Sequence, residues 1–293
     1  IVTTVAPAHL EFFKSIEKIA EAKAEIFLGV VKGGAAILPR DNPHFDLLKR
    51  RAAEAGVKKI ISFGEHAQAD VRLASYNASE AAGEIRASVF GEDHDFRLGA
   101  PGRHQAMNSL AVLAAVHALD GDVAKAATAL TAFAPGEGRG ARRDIALPGG
   151  GSIVLIDESY NANPVSMAAA IALLGAAKPK RGGRRIAVLG DMLELGPEGP
   201  ALHESLAGPL AAAKIDKLYV AGDFMRRLWE KAPAAMRAKA ALTASALVAD
   251  VVGGLRDGDI VMVKGSNASK VSEIARALGS LTSGAPRAKA GGA

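Results

Sequence analysis

Short apolar runs alternate with longer amphipathic stretches along most of the chain. GGAAILP (33–39) and KKIISFG (58–64) read as strands, and FDLLKRRAAEAG (45–56) between them reads as a helix. SVFGEDHDFRL (88–98) has hairpin character, and RHQAMNSLAVLAAVHAL (103–119) and DVAKAATALTAF (122–133) read as helices. PGEGRGARRD (135–144) carries little apolar content and marks a domain boundary. Beyond it SIVLID, RRIAVLG, KLYVAG and DIVMVKG read as strands, with helices beginning near Pro164, Pro200, Asp223, Ser245 and Ala268. This alternation predicts a parallel sheet with helices on both faces. The opening Ile1–Val5 is β-branched and reads as a buried strand, and the tail SGAPRAKAGGA reads as disordered.

The 293 residues suffice for two domains, and 49% hydrophobic content supports a sizeable core. The 32 glycines and 4% aromatics suit an Ala/Gly-rich α/β protein. Cysteine is absent, which excludes disulfides, thiolate metal sites and a Cys nucleophile and fits a reducing, cytoplasmic setting. No apolar run approaches the ~20 residues of a membrane span. The net charge is +5, and its densest basic stretch, KPKRGGRR (178–185), has no interleaved aromatics. It reads as a solvated loop, not a nucleic-acid patch.

The stretch KSIEKIAEAKAEIFLGV (14–30) predicts an amphipathic helix. At 100° per residue Ile19, Ala20, Ile26, Phe27 and Val30 form one stripe with Ile16, while Lys14, Lys18, Glu21 and Glu25 lie opposite. Lys23 falls about 20° from Ile16, inside the stripe. An inward Lys loses its charge readily and can form a carbamate, an oxygen ligand suited to Mg²⁺; the alternative is a Lys that snorkels past the stripe's edge. His9 precedes this helix just after the first strand, where α/β sheets place ligand-binding groups.

APAHLEFFKSIEKIAEAKAEIF resembles the central-domain motif of the Mur ligases, ATP-dependent amide-bond ligases of peptidoglycan precursor synthesis. RHQAMN, ESYNANP, GDMLELG and VKGS follow in the family's order. The resemblance implies an α/β fold: part of a central ATP-binding domain over 1–138, a Rossmann-like C-terminal domain with a mostly parallel sheet over 139–281, and a tail at 282–293. It implies ATP and two Mg²⁺ ions as cofactors, with His9 and carbamylated Lys23 holding one ion. Asn108, with His104 on the same helical face, would contact adenine, Glu158 the ribose and Arg139 the phosphates. Asn163 would belong to the same nucleotide turn, although an Asx-rich turn before Pro164 accounts for the Asn residues equally well. His9, Lys23 and Arg139 are the candidate catalytic groups, acting by charge stabilisation and positioning.

ESYNANP resembles the D-alanyl-D-alanine-adding branch, which implies UDP-N-acetylmuramoyl-tripeptide and D-alanyl-D-alanine as partners of a monomeric enzyme working through an acyl phosphate. Asp191 and Glu194 would receive the dipeptide's ammonium, and Lys264 with Ser266 its carboxylate. The family's Gly-x-x-Gly-Lys-Thr-Thr phosphate loop has no counterpart in GGRR, GRGARR or VKGS. The expectation is therefore a ligase whose phosphate loop and UDP-sugar domain lie outside these residues, inactive as this stretch alone, with Ile1–Val5 an inner strand. The alternatives are another amide ligase of the superfamily, such as a different Mur enzyme or a folylpolyglutamate synthase, and a non-catalytic nucleotide- or partner-binding module.

Overall fold

The computed structural model describes residues 1–7, 10–79, 82–180 and 182–281. The expected disordered tail lies outside them. The chain divides into two units, Ile1–Ala134 with Glu194–Gly196, and Pro135–Leu193 with the described residues from Pro197 on.

The first unit opens in extended backbone, not in the strand expected at Ile1–Val5. Val2 N–H donates to Ile37 O at 3.0 Å, and Val2 and Val5 are buried while Thr3 and Thr4 face solvent. One ladder bond holds the segment to the sheet without extending it. Helix α1 (Leu10–Phe13) ends at Lys14, which takes a left-handed φ of 64°. Ser15 then caps α2 (Ile16–Ala24), accepting from Lys18 N–H at 3.1 Å, and a 3-10 turn follows over Glu25–Gly29. The single helix expected over residues 14–30 is thus two pieces, α2 and the 3-10 turn, with α1 before them.

Next come β1 (Ala35–Pro39), α3 (Phe45–Glu54), β2 (Lys59–Gly64), β3 (Val71–Ala78), β4 (Gly83–Val89), β5 (Glu92–Leu98), α4 (Arg103–Ala118) and α5 (Val123–Ala129). The sheet runs β1-β2-β3-β4-β5, parallel as far as β3 and antiparallel beyond. The period of two sorts β1 between two cores. Ala36 and Leu38 join Ile19, Phe27 and Leu48 under α2 and α3, while Ile37 joins Phe63, Val71, Leu110 and Leu113 under α4.

The second unit holds β6 (Ala141–Ala146), β7 (Ser152–Glu158), α6 (Pro164–Ala176), β8 (Arg185–Gly190), α7 (Gly199–Glu204), α8 (Ala207–Ala212), β9 (Lys217–Ala221), α9 (Asp223–Lys231), β10 (Arg237–Ala241), α10 (Ala244–Gly253), β11 (Ile260–Lys264) and α11 (Ser272–Ser280). Its sheet order is β10-β9-β8-β11-β7-β6, parallel except for β6. All five residues of β11 are buried, as a strand between two parallel neighbours requires. Leu155, Val188, Val261 and Val263 pack with Leu247, Ile274 and Leu278 on one face, and α6 covers β8 and β11. From β8 the chain steps outward to β9 and β10, then returns to insert β11 beside β7. That reversal opens a crevice at the strands' C-terminal ends, the usual ligand edge of such sheets.

The basic stretch is bound into this frame. Arg184 forks onto the buried Asp259 (Nη2 to Oδ2, 2.7 Å), and Arg185 Nε donates to Ala177 O at 3.0 Å.

Candidate functional site

In the second unit β7 ends at Glu158 and turns through Ser159–Asn163 into α6. Asp157 Oδ1 accepts from Ser159 Oγ at 2.6 Å and from its N–H at 3.1 Å, which bends the chain off the strand. Asn163 caps α6: its Oδ1 accepts from Ser166 N–H at 2.8 Å, while Ser166 Oγ accepts from Asn163 N–H at 3.0 Å. Pro164 follows at the first helical turn, where its missing N–H leaves no bond unmade. Asn163, a nucleotide-contact candidate from the sequence, therefore has its carbonyl oxygen engaged in a capping box.

The Gly-rich segment read as a boundary is fastened to this turn. Gly140 N–H donates to Asp157 O at 2.8 Å, and Tyr160 N–H to Gly138 O at 3.0 Å. Gly138 has φ +70°, and a Cβ there would meet Tyr160 backbone at 3.0 Å, so glycine permits both the turn and the approach. Arg139 is exposed and its guanidinium stacks 3.9 Å from the Tyr160 ring centroid. Arg139 and Glu158, far apart in sequence, thus flank one turn. Sequence reasoning misses Tyr160 as a functional residue, although it stands inside ESYNANP; only the fold reveals the ring beneath Arg139.

Lys264 ends β11 directly across from Glu158 in the parallel register. It is 2% exposed, with Nζ 3.0 Å from Asn161 O and 3.4 Å from Glu158 Oε2. Burial pushes its pKa below the usual lysine range, and Glu158 opposes that shift. The ammonium expected to meet a substrate carboxylate is turned into the protein. Ser266 is also buried: its N–H donates to Asp191 O at 3.0 Å, and its Oγ accepts from Leu193 N–H at 2.9 Å. It ties the ends of β11 and β8 together.

Asp191 follows β8 and caps α9, Oδ1 accepting from Met225 N–H at 2.8 Å. Burial raises its carboxyl pKa. Gly222 has φ +116°, and an added Cβ would lie 2.2 Å from the Asp191 carboxyl carbon. Behind Asp191, wholly buried His203 donates from Nδ1 to Gly199 O (2.6 Å) and accepts at Nε2 from Met192 N–H (2.8 Å). Both bonds hold together only in the neutral ring, and burial lowers its pKa. A cleft of ≈ 370 Å³ opens at this edge, lined by Asp191, Gly222, Thr243, Ser245, Ser269 and Lys270 among others. Of the residues expected to hold the dipeptide, Asp191 lines it, Lys264 and Ser266 lie buried, and Glu194 is exposed with a left-handed φ of 62°.

In the first unit His104 and Asn108 are both exposed along α4, one turn apart, while Leu110 and Ala114 are buried. Lys23 is exposed, as is Ile26, which fits the alternative of a Lys at the stripe's edge and not the inward one. The helix ends at Ala24 and tightens into the 3-10 turn, so the 100° wheel that carried the stripe through Lys23 stops one residue beyond it. His9 lies outside the described residues. Among the described residues no group of three His, Asp or Glu side chains is placed to hold a metal. Lys23 would become an oxygen ligand only as the carbamate that the resemblance implies. No helix among the described residues is long and apolar enough to cross a membrane.

Two family models match the chain: the Mur ligase middle domain over residues 1–116, and the Mur ligase, glutamate ligase domain over 145–267. The chain is similar to UDP-N-acetylmuramoyl-tripeptide–D-alanyl-D-alanine ligase of Rickettsia prowazekii, at 28% identity over 94% of this chain and 59% of the relative. The corresponding Mycobacterium tuberculosis (strain CDC 1551 / Oshkosh) protein is 31% identical over 95% of this chain and 57% of its own length. A crystal structure of MurF from Acinetobacter baumannii superposes with a TM-score of 0.81 at 25% identity, covering 94% of this chain and 58% of that one. The chain thus spans less than two thirds of the length of these relatives. With the family's middle and glutamate ligase domains matched in order along it, the chain belongs to the Mur ligase family.

Proposed function

We propose that this chain supplies the nucleotide-contacting and amine-receiving parts of a ligase that joins D-alanyl-D-alanine to UDP-N-acetylmuramoyl-tripeptide at the expense of ATP. The observation that carries the reading is the turn after β7, where Glu158 and the stacked Arg139 stand at the C-terminal edge of a parallel sheet. A carboxylate suits a ribose diol and a guanidinium suits phosphate oxygens. The relatives' activity comes to this chain through that site.

The chemistry runs in two balanced steps. A carboxylate oxygen of the tripeptide attacks the γ-phosphorus, its O–P bond forms, and the bond to the departing ADP oxygen breaks. The dipeptide amine then attacks the acyl carbon, the C–N bond forms, phosphate leaves, and the nitrogen loses a proton. Arg139 offsets charge on the phosphates. Glu158 holds the ribose, and such positioning carries most of the rate. Asp191, in the cleft beyond β8, is the group proposed to meet the dipeptide's ammonium. Mg²⁺, His9 and a carbamate on Lys23 stand as implications of the family resemblance, and neither step is routed through them.

The acyl phosphate is tested with tripeptide substrate labelled with ¹⁸O in its terminal carboxylate, given to the natural protein that carries this sequence. Released phosphate should contain one ¹⁸O. Unlabelled phosphate alongside amide product would exclude the acyl phosphate.

A further inference from the structure

Lys264 is an unusual residue to find at the end of a central strand. Every other position of β11 is apolar and buried, and a lysine among them loses its hydration. The fold compensates with two contacts, one to the last residue of β7 and one to the turn that follows it. Nζ lies 3.0 Å from Asn161 O and 3.4 Å from Glu158 Oε2. Glu158 is opposite Lys264 in register, so the pleat puts both side chains on one face. The pair is almost dry, with side chains 3% and 12% exposed.

The geometry leaves the two Glu158 oxygens in different surroundings. Oε2 points to Lys264. Oε1 points to Gly140, where an added Cβ would come within 3.1 Å of it. Gly140 leaves room there that a side chain would fill. The same ammonium holds the Asn161 carbonyl, so one residue fixes both the strand-end carboxylate and the middle of the turn.

We infer that Lys264 is a positioning residue for nucleotide: it clamps Glu158 Oε2 and Asn161 O so that Glu158 Oε1 faces a ribose diol. This rests on the reading of Glu158 as the ribose contact, and it moves Lys264 from the dipeptide's carboxylate to the nucleotide turn. The substrate contact that sequence assigned to Lys264 would need the ammonium in the open cleft. The cleft's lining instead offers Lys270, Thr243 and Ser245 for that end of the ligand.

The test is the affinity of the natural protein that carries this sequence for ADP against 2′,3′-dideoxy-ADP, followed by NMR at high ligand concentration. The unchanged protein should prefer ADP by about tenfold, ~1.4 kcal/mol. Lys264→Met should erase that preference while leaving the affinity for dideoxy-ADP as it was. Lys264→Arg, which keeps the charge, should restore much of it. An undiminished preference in Lys264→Met overturns the positioning role and leaves the nucleotide reading standing. No ADP binding by the unchanged protein overturns both.

A second measurement avoids substitution, in case Lys264→Met does not fold. The groups facing Lys264 are Glu158 on β7, Leu189 opposite on β8 and the Asn161 carbonyl, so Glu158 is the charged group acting on it. The preference for ADP in the unchanged protein should fall as pH rises through the loss of the Lys264 proton, followed at its ¹³Cε resonance. A preference that stays constant through that titration contradicts the inference.

Discussion

His203 shows what one buried side chain does to this fold. Its two bonds, to Gly199 O and from Met192 N–H, require the neutral ring, and protonation would set Nε2–H against the Met192 N–H. Its folded pKa is depressed, so the unfolded chain takes up the proton first as pH falls. The contribution to stability is complete above the ordinary value of 6.5 and is lost as pH drops from there towards the folded pKa. Asp191 has the opposite sign: its raised pKa removes stability as pH climbs through the ordinary value of 3.8. Tm should therefore decline on acidification below the ordinary histidine value of 6.5. His203→Gln should lower Tm at neutral pH and flatten that slope; thermal melts across that value check it, and an unchanged slope would move its origin elsewhere. The Lys264–Glu158 pair makes a stronger demand. Lys264→Ala leaves a buried carboxylate without its cation and should cost about 3–5 kcal/mol in urea denaturation, unlike a surface pair.

Elements with strong periodicity are legible in the amino-acid sequence. The strands β1, β2, β7, β8, β9 and β11 and the helices α3, α4 and α6 stand where apolar runs and caps put them. The elements that escape such reading are edge or half-polar strands. ARRDIA forms β6 because its backbone pairs with β7, although Ile145 is its one buried side chain. RAKAA forms β10 at the opposite edge, where Ala and charged residues carry no alternation. α11 begins at Ser272, since a 3-10 turn takes up Asn267–Ser269. The site is legible as residue types and not as contacts. Arg139 and Glu158 stand out in their motifs, but Tyr160 beneath one and Lys264 beside the other depend on pairings between distant strands. Asn163 illustrates the overlap of the two roles. Asn163→Ala removes a capping box and should destabilise the second unit by about 1 kcal/mol, measured as a fall in Tm without ligand. An equal Tm would mean that the cap contributes nothing.

At the scale of the molecule, each unit has its own sheet and core. A polypeptide of residues 135–281 should melt in one cooperative transition, because it contains the whole six-stranded sheet. Starting it at residue 145 removes most of β6, uncovers the β7 edge and should lower its Tm. The 293 residues contain no Gly-Lys-Thr run to cradle phosphates. They should show no measurable ATP turnover by themselves, whichever substrates are added, and phosphate release at an ordinary enzymatic rate of ~10 s⁻¹ would place a complete phosphate site within them. The proposed ligation is tested on the natural protein that carries this sequence. The most direct test of the account offers that protein UDP-N-acetylmuramoyl-tripeptide and ATP with D-alanyl-D-alanine, L-alanine, D-glutamate, diaminopimelate or a folate–glutamate pair, and measures amide product by mass. The account predicts product with D-alanyl-D-alanine and a loss of at least about a hundredfold in Arg139→Ala, on the scale of other charge-stabilising groups. Product with a different amine, or full activity in Arg139→Ala, would contradict it.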